Sequence, residues 1–339
     1  MTGRYSDKRL NDSFYAYVLL SEPVTFRMHE IVAALKEDYP TLGWGDSFYE
    51  EEGAEHDGPF TVGDVLVASL FPKGADNIPG MIGMHSMPGR CDLANWPDLL
   101  HKNRFNSPEA GAAVARHTCC LCIQANSVDN SLEARFDAAR RVTAVAAVFA
   151  ALPVAELVYW PNGDTLTMPD SWVAAAQKAA RGEVPLLQWI HFGMELMPNP
   201  ETPQGVTASS VGLAAFTGQE IAMLWAPVEP AEAVRRVFEA VSMVLEHGHV
   251  FEDSDTLGAE GDKMKMRLRL LKEGQLDAQT DTICILHPSS HFHEQELELF
   301  GPRAKAPPPK GVDNTSRGDP NSLKNRLYAL FAGPRRSRA

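Results

Sequence analysis

The chain lacks a long apolar run, and this absence excludes a helical membrane span first. Such a span needs roughly 18–20 uncharged apolar residues. The best stretch, Val142 to Ala155, is alanine-rich and broken by Pro153, so it reads as the end of a buried helix. Residues 1–8 have no apolar core of the kind a signal peptide carries, so no signal peptide is expected and the expected location is the cytoplasm. Cysteine is sparse and odd in number: Cys91, Cys119, Cys120, Cys122 and Cys284. Three of these are crowded together, which is no disulfide framework. It fits a reducing compartment where thiols behave as small buried hydrophobes. Basic residues are outnumbered, 31 against 44 acids, for a net charge of −13. A phosphate backbone is repelled by such a surface, so nucleic acid is not an expected partner. Also absent are a Gly-x-Ser-x-Gly elbow, a Gly-Lys-Ser/Thr phosphate loop, a Gly-x-Gly-x-x-Gly turn and a His-Glu-x-x-His helix.

What is present reads as a folded protein. Hydrophobic residues make up 44% and charged residues 22% of 339, enough for one large domain or two ordinary ones. Residues 14–20 read as a strand, and Met28, Ile31, Val32 and Leu35 follow at helical spacing. Residues 41–60 carry Asp46, Glu50, Glu51, Glu52, Glu55 and Asp57 with no Lys or Arg, and read as a solvated acidic loop. Residues 62–71 form the next expected strand. Between 73 and 110 stand Gly74, Pro79, Gly80, Gly83, Pro88, Gly89, Pro97 and Pro108. That density of breakers predicts a long irregular insertion, a candidate site region. Residues 119–123 are apolar on both faces and predict a central strand. Asn130-Ser131 caps a long helix whose stripe is Leu132, Phe136, Ala139, Val142, Ala146 and Phe149. A strand over 156–160 stops at Pro161-Asn162-Gly163-Asp164.

The second half follows a similar order. Asp170 or Ser171 caps a short helix, 186–197 reads as a strand, and 206–216 with 219–225 reads as a hairpin around Thr217-Gly218. Pro230 opens a helix with Val234, Val237, Phe238, Val241, Val244 and Leu245 on one face, and Gly248 ends it. In residues 263–270, Met264, Met266, Leu268 and Leu270 alternate with Lys263, Lys265, Arg267 and Arg269. That period of two predicts a strand with a core face and a basic face. The expected fold is α+β: two packed split-βαβ, ferredoxin-like units with mixed or antiparallel sheets, and a flexible C-terminal tail. The units are expected over 1–160 and 161–300. Residues 301–339 read as a linker with Pro307-Pro308-Pro309 and a basic amphipathic tail with Leu323, Leu327, Leu330 and Phe331.

One block carries a resemblance. Gly212-Leu213, Phe216, Gly218, Glu220-Ile221, the helix 230–247 and Asp253-Ser254-Asp255-Thr256-Leu257-Gly258 follow one another in the C-terminal half. This arrangement resembles the bacterial family catalogued as domain of unknown function 4261. The likeness extends over 14–271, is strongest in 190–271, and leaves 272–339 outside. Thr217 separates Phe216 from Gly218, where the family pattern is tighter, and Ser254 stands where the family has glycine. The resemblance implies a fold and carries no chemistry.

Five groups of residues are candidates for a site, each beside a plain structural alternative. His247, His249, Glu252, Asp253 and Asp255 could hold a divalent metal such as zinc; the alternative is a helix end and a polar turn. His117 with Cys119, Cys120 and Cys122 points to opposite strand faces, which favours buried thiols. His291 and His293 share a face if extended, within a segment that equally suits a polar turn. His85 and Cys91, the latter beside Arg90 and Asp92, could form a Cys–His pair, though their spacing fixes no geometry. Lys263, Lys265, Arg267 and Arg269, with Leu327 and Phe331 of the tail, could meet an acidic partner, or simply offset the surplus of acids. The leading expectation is a non-enzymatic protein-binding protein of accessory, chaperone or toxin-neutralising type, without a cofactor, its tail docking as a helix in a groove. A homodimer is a further expectation. The alternatives are a metal-assisted hydrolase using the histidines of 247–255 or 287–293, and a small-molecule sensor lined by Trp96, Met81, Met84 and Met87.

Overall fold

A computed structural model describes residues 13–50, 59–64, 66–72, 81–87, 89–197, 205–248, 250–257, 265–275 and 278–289. The chain divides into two compact units, one taking in the described residues to His191 and the other those from Phe192 on. The class is α+β.

The first unit begins with β1 (Ser13–Leu20), β2 (Thr25–Arg27), α1 (Met28–Asp38), β3 (Trp44–Glu50) and β4 (Pro59–Thr61). It continues with β5 (Leu66–Pro72), β6 (Ile82–Met87), α2 (Trp96–Asn103), α3 (Ala110–Arg116) and β7 (Cys119–Asn126). It closes with α4 (Leu132–Ala150), β8 (Ala155–Trp160), β9 (Thr165–Thr167), α5 (Pro169–Ala180) and α6 (Leu186–Trp189). Seven strands pair in the order β3-β5-β6-β7-β1-β8-β9. Every pairing is antiparallel. β7 and β8 both run antiparallel to β1, which lies between them, so β7-α4-β8 is a split β-α-β crossover. β2 and β4 form a separate two-stranded ribbon.

The long helix is built as its pattern predicts. The Ser131 hydroxyl accepts the Ala134 N–H at 3.2 Å and caps it. Phe136, Ala139, Val142, Ala146 and Phe149 are buried, and α4 packs against β1, β7 and β8. On that face of the sheet Phe14 stacks on Trp160 at 6.0 Å. Trp160 meets Trp172 of α5 at 5.8 Å and Trp189 of α6 at 6.1 Å. Both indoles are anchored to one residue of α4: Trp172 Nε1 donates to the Thr143 carbonyl at 3.2 Å, and Trp189 Nε1 to its Oγ1 at 2.9 Å. This tryptophan cluster carries the first unit past residue 160 to His191.

The described part of the 73–110 stretch is more regular than its composition predicts. Its Pro97 sits in the first turn of α2, where a missing N–H costs nothing. Gly83 lies inside β6, where an added Cβ would stand 2.9 Å from His85 Nε2. These breakers serve an element start and a close approach, not a loop. β3 likewise occupies part of the expected acidic loop, at the edge of the sheet.

The second unit holds β10 (His191–Met197), β11 (Gly205–Val211), α7 (Ala214–Thr217), β12 (Glu220–Ala226) and α8 (Pro230–His247). It ends with β13 (Thr256–Leu257), β14 (Met266–Leu271) and β15 (Thr282–Leu286). The sheet order is β10-β11-β12-β15-β14-β13. Here the expected split crossover is not what forms. β12 and β15 are parallel direct neighbours, and β14 pairs antiparallel on the outer side of β15. The two units therefore differ in topology, and the likeness in element order does not extend to strand arrangement. α8 lays Val237, Ala240, Val241 and Val244 on β11 and β12. The expected tail, 301–339, lies outside the described residues.

Candidate functional site

Two polar clusters organise the second unit. The first is a carboxylate at the start of β12. Glu220 Oε1 accepts the N–H groups of Gly212 at 2.8 Å and Ala214 at 3.0 Å. Its Oε2 accepts the Leu213 N–H at 3.2 Å and the Ser210 hydroxyl at 2.6 Å. One side chain thus gathers the backbone entering α7, where a four-residue helix leaves its first donors without intrahelical partners. Gly218 at φ +81° ends that helix in the left-handed conformation. Burial pushes the Glu220 carboxyl above its ordinary range, against the pull of the four donors.

The second cluster is the turn after α8. Asp253 Oδ1 accepts Arg269 Nε at 3.0 Å and the Leu270 N–H at 2.8 Å. The Ser254 hydroxyl donates to Asp253 Oδ2 at 3.2 Å. Two backbone bonds fasten the turn to β14, Ser254 N to Leu268 O at 2.9 Å and Leu268 N to Asp255 O at 2.8 Å. Asp255 Oδ2 accepts the Glu252 N–H at 3.0 Å. Burial raises the Asp253 carboxyl, but Leu270 N–H and Arg269 outweigh it and the net shift is downward. Asp255 moves upward through burial.

These contacts place the candidate residues. Arg269 is buried at 1% exposure, with its guanidinium on Asp253, so the basic row of β14 is not one open face. Arg267 and Lys265 are half-buried. His247 Nε2 lies 3.5 Å from Glu246, Asp253 is engaged by Arg269 and Leu270 of β14, and Asp255 by Glu252 of its own turn. Among the described residues no group of three His, Cys, Asp or Glu side chains stands close enough to hold a metal ion. Lys263, His249, His291, His293, Leu327 and Phe331 lie outside the described residues. His85 and Cys91 do not bond each other. His85 Nε2 meets Gln124 Nε2 at 3.1 Å, and the Cys91 N–H donates to His117 Nε2 at 3.1 Å.

Ser254 adopts φ +73°, a left-handed conformation that glycine enters freely and serine does not. That is the position where the resemblance calls for glycine.

Residues 209–285 match the family model described as Domain of unknown function (DUF4261). No curated protein and no solved structure matches the chain. The family segment runs from β11 through Glu220, α8 and the Asp253 turn into β15. It starts later than expected and ends beyond residue 271. The sheet explains the later end: β15 pairs with both β12 and β14, so the segment cannot close without it. Within the family segment, Ser254→Gly should therefore stabilise the fold by about 1 kcal/mol, read as a higher urea midpoint at unchanged slope. No gain, or a loss, would mean that the hydroxyl bond to Asp253 outweighs the strain.

Beside the family segment lies a surface that hydrophobic pattern alone does not reveal. β10 ends the sheet, with β11 as its one neighbour among the described strands. Phe192, Met194 and Leu196 share a face, and the Phe192 ring meets that of Phe238 of α8 in a tilted contact at 5.2 Å. Met194 is 43% exposed, Leu196 54% and Phe238 36%. The neighbouring charges of α8 are already paired, Glu232 with Arg235 at 2.8 Å and with Arg236 at 2.6 Å. An apolar row on an edge strand is a template for a further strand. The sequence reading placed a strand over 186–197, of which Leu186–Trp189 is helix and His191–Met197 strand; only the sheet order shows that, among the described residues, no further strand pairs with its outer edge.

Proposed function

We propose that this chain is a protein-binding protein of accessory, chaperone or toxin-neutralising type, and that it takes up an extended segment of its partner along β10. The carrying observation is the edge position of β10 together with the exposed row of Met194, Leu196 and Phe238. Main-chain bonds along the edge would supply affinity, and the apolar row would select side chains at every second position. The net charge of −13 favours Lys and Arg at the intervening positions of the bound segment and speeds its arrival.

The test compares the wild-type chain, the double variant Met194→Lys/Leu196→Lys and a chain ending at residue 300, each used as bait in the native host. A captured protein is identified, its contacting segment mapped by cross-linking, and that segment made as a peptide. The expected result is a peptide with alternating apolar and basic residues, bound at least about tenfold more weakly by the double variant, with the truncated chain unaffected. Unchanged binding by the double variant overturns the reading, as does loss on truncation alone. A concentration-dependent dimer abolished by the double variant would replace the foreign partner with a second copy.

A further inference from the structure

The sheet face opposite α4 collects side chains for which the β10 contact has no use. Tyr15, Tyr17 and Leu19 of β1 stand in register with Gln124, Cys122 and Cys120 of β7, and His85 of β6 stands beside Cys122. α2 and α3 cover one end of this face. There Leu19, Trp96, Leu99, Ala113 and Leu157 form a buried cluster, with Tyr17 and Cys91 packed partly buried against it. Cys119 belongs to the opposite, fully covered face, and Cys284 lies buried in the other unit with its thiol pushed up to about 12.

Cys91 lies just before α2 and is held on both sides of its peptide. Its N–H donates to His117 Nε2 at 3.1 Å, and its carbonyl accepts Trp96 Nε1 at 3.0 Å. His117 Nδ1 meets the Val114 carbonyl at 2.6 Å, so Nδ1 carries the proton and Nε2 is free to accept. Burial lowers the His117 pKa and keeps the ring neutral in that role. Cys91 packs against the cluster that holds Leu19, and Cys120 is the register neighbour of Leu19 on β7, so both thiols belong to one neighbourhood on this face and interact there. The Cys120 S–H supports a thiolate on Cys91 and draws its pKa below the ordinary thiol value, against burial; Cys120 shifts upward. Cys122, further along β7, is raised by burial and bonded to the Tyr17 phenol. Two neighbouring thiols, both partly buried, with the thiolate favoured on Cys91, are the arrangement of an attacking and a resolving cysteine.

We propose that Cys91 and Cys120 form a redox pair that closes to a reversible disulfide on reaction with hydrogen peroxide. The Cys91 thiolate attacks one peroxide oxygen, the O–O bond breaks, and the departing hydroxide takes up a proton to leave as water. The Cys91 sulfenic acid is then attacked by the Cys120 sulfur. The S–O bond breaks, the S–S bond forms, and a second water leaves with the Cys120 proton. Overall two thiols and one peroxide give one disulfide and two waters. An added dithiol reverses it by exchange, becoming oxidised itself. Closure would fasten the segment before α2 to the centre of the sheet.

The test treats the full chain with stoichiometric hydrogen peroxide at neutral pH, then measures intact mass and maps cross-linked peptides. The expected product has lost two hydrogens, joins Cys91 to Cys120, and reverts with dithiothreitol. Cys122→Ser should react as wild type, whereas Cys91→Ser and Cys120→Ser should give no intramolecular disulfide. In the reduced protein, iodoacetamide should modify Cys91 at least about tenfold faster than Cys122. A disulfide to Cys122, a Cys91 sulfinic acid with Cys120 still reduced, or no reaction overturns the proposal. The wild-type map decides even if a serine variant fails to fold.

Discussion

Asp253→Ala is expected to cost about 4 kcal/mol of folding stability, measured as a fall in the urea midpoint. The size follows from what the substitution leaves behind. The Arg269 side chain is 2% exposed and cannot regain water without opening β14. Removing its carboxylate takes an ion-pair partner from a buried cation and leaves the Leu270 N–H without this acceptor. Asp253→Asn keeps an oxygen for both donors and loses only the charge, so about half that cost is expected, roughly 2 kcal/mol. Adding Arg269→Met to Asp253→Ala should recover part of the loss, because an apolar pair of similar volume avoids the desolvation of either charge. Additive costs in that cycle would show that the two residues act independently. The pH dependence has a fixed sign. The Asp253 carboxyl titrates below its ordinary 3.8 in the fold, so its contribution is fully present above that pH and is lost as pH falls through the lower folded value. Asp253→Asn should therefore flatten the acid end of the wild-type stability curve. An unchanged acid limb would refute the assignment.

The helices α1, α4 and α8 were legible because each carries an apolar stripe and recognisable ends: Ser131 caps α4, Pro230 opens α8 and Gly248 closes it. β1 and β7 were legible from their apolar runs. The reading of β14 was half right for a physical reason. Period two separates two faces, but it equates the polar face with solvent only if nothing folds over it. Here the turn after α8 brings Asp253 onto Arg269 from sixteen residues away, and burial follows the pairing. The acidic stretch that holds β3 failed as a strand signal because its residues serve an edge, where charges are tolerated and useful. The thiol pair was invisible as such. His117 and Cys120 read as members of one candidate group and Cys91 as a member of another, and only the pairing of β1 with β7 and the packing of α2 and α3 bring them together. The apolar edge of β10 was likewise hidden, since exposure depends on strand order and a strand's own pattern does not contain it.

Glu220 gives the second large effect, and its pH dependence separates two accounts of the same geometry. Glu220→Ala should cost about 3 kcal/mol, because the N–H groups of Gly212, Leu213 and Ala214 then face a buried site without an acceptor. Glu220→Gln keeps the oxygen that serves Gly212 and Ala214, so about 1 kcal/mol is expected at pH 4. Burial raises this carboxyl above its ordinary 4.5. A raised acid contributes fully below that pH and loses its contribution as pH climbs through the folded value. The network can host the proton. A protonated Oε2 can donate to Ser210 Oγ at 2.6 Å, while Ser210 turns its own hydrogen to the Ile221 carbonyl at 3.3 Å and accepts the Ile221 N–H at 2.9 Å. The wild type should accordingly lose stability relative to Glu220→Gln as pH rises from 4 toward 8, narrowing the gap between them in paired urea titrations. A gap that widens instead would mean that the three N–H donors dominate burial and hold Glu220 as a carboxylate, which would make the loop before β12 a backbone anion nest already filled from within the chain.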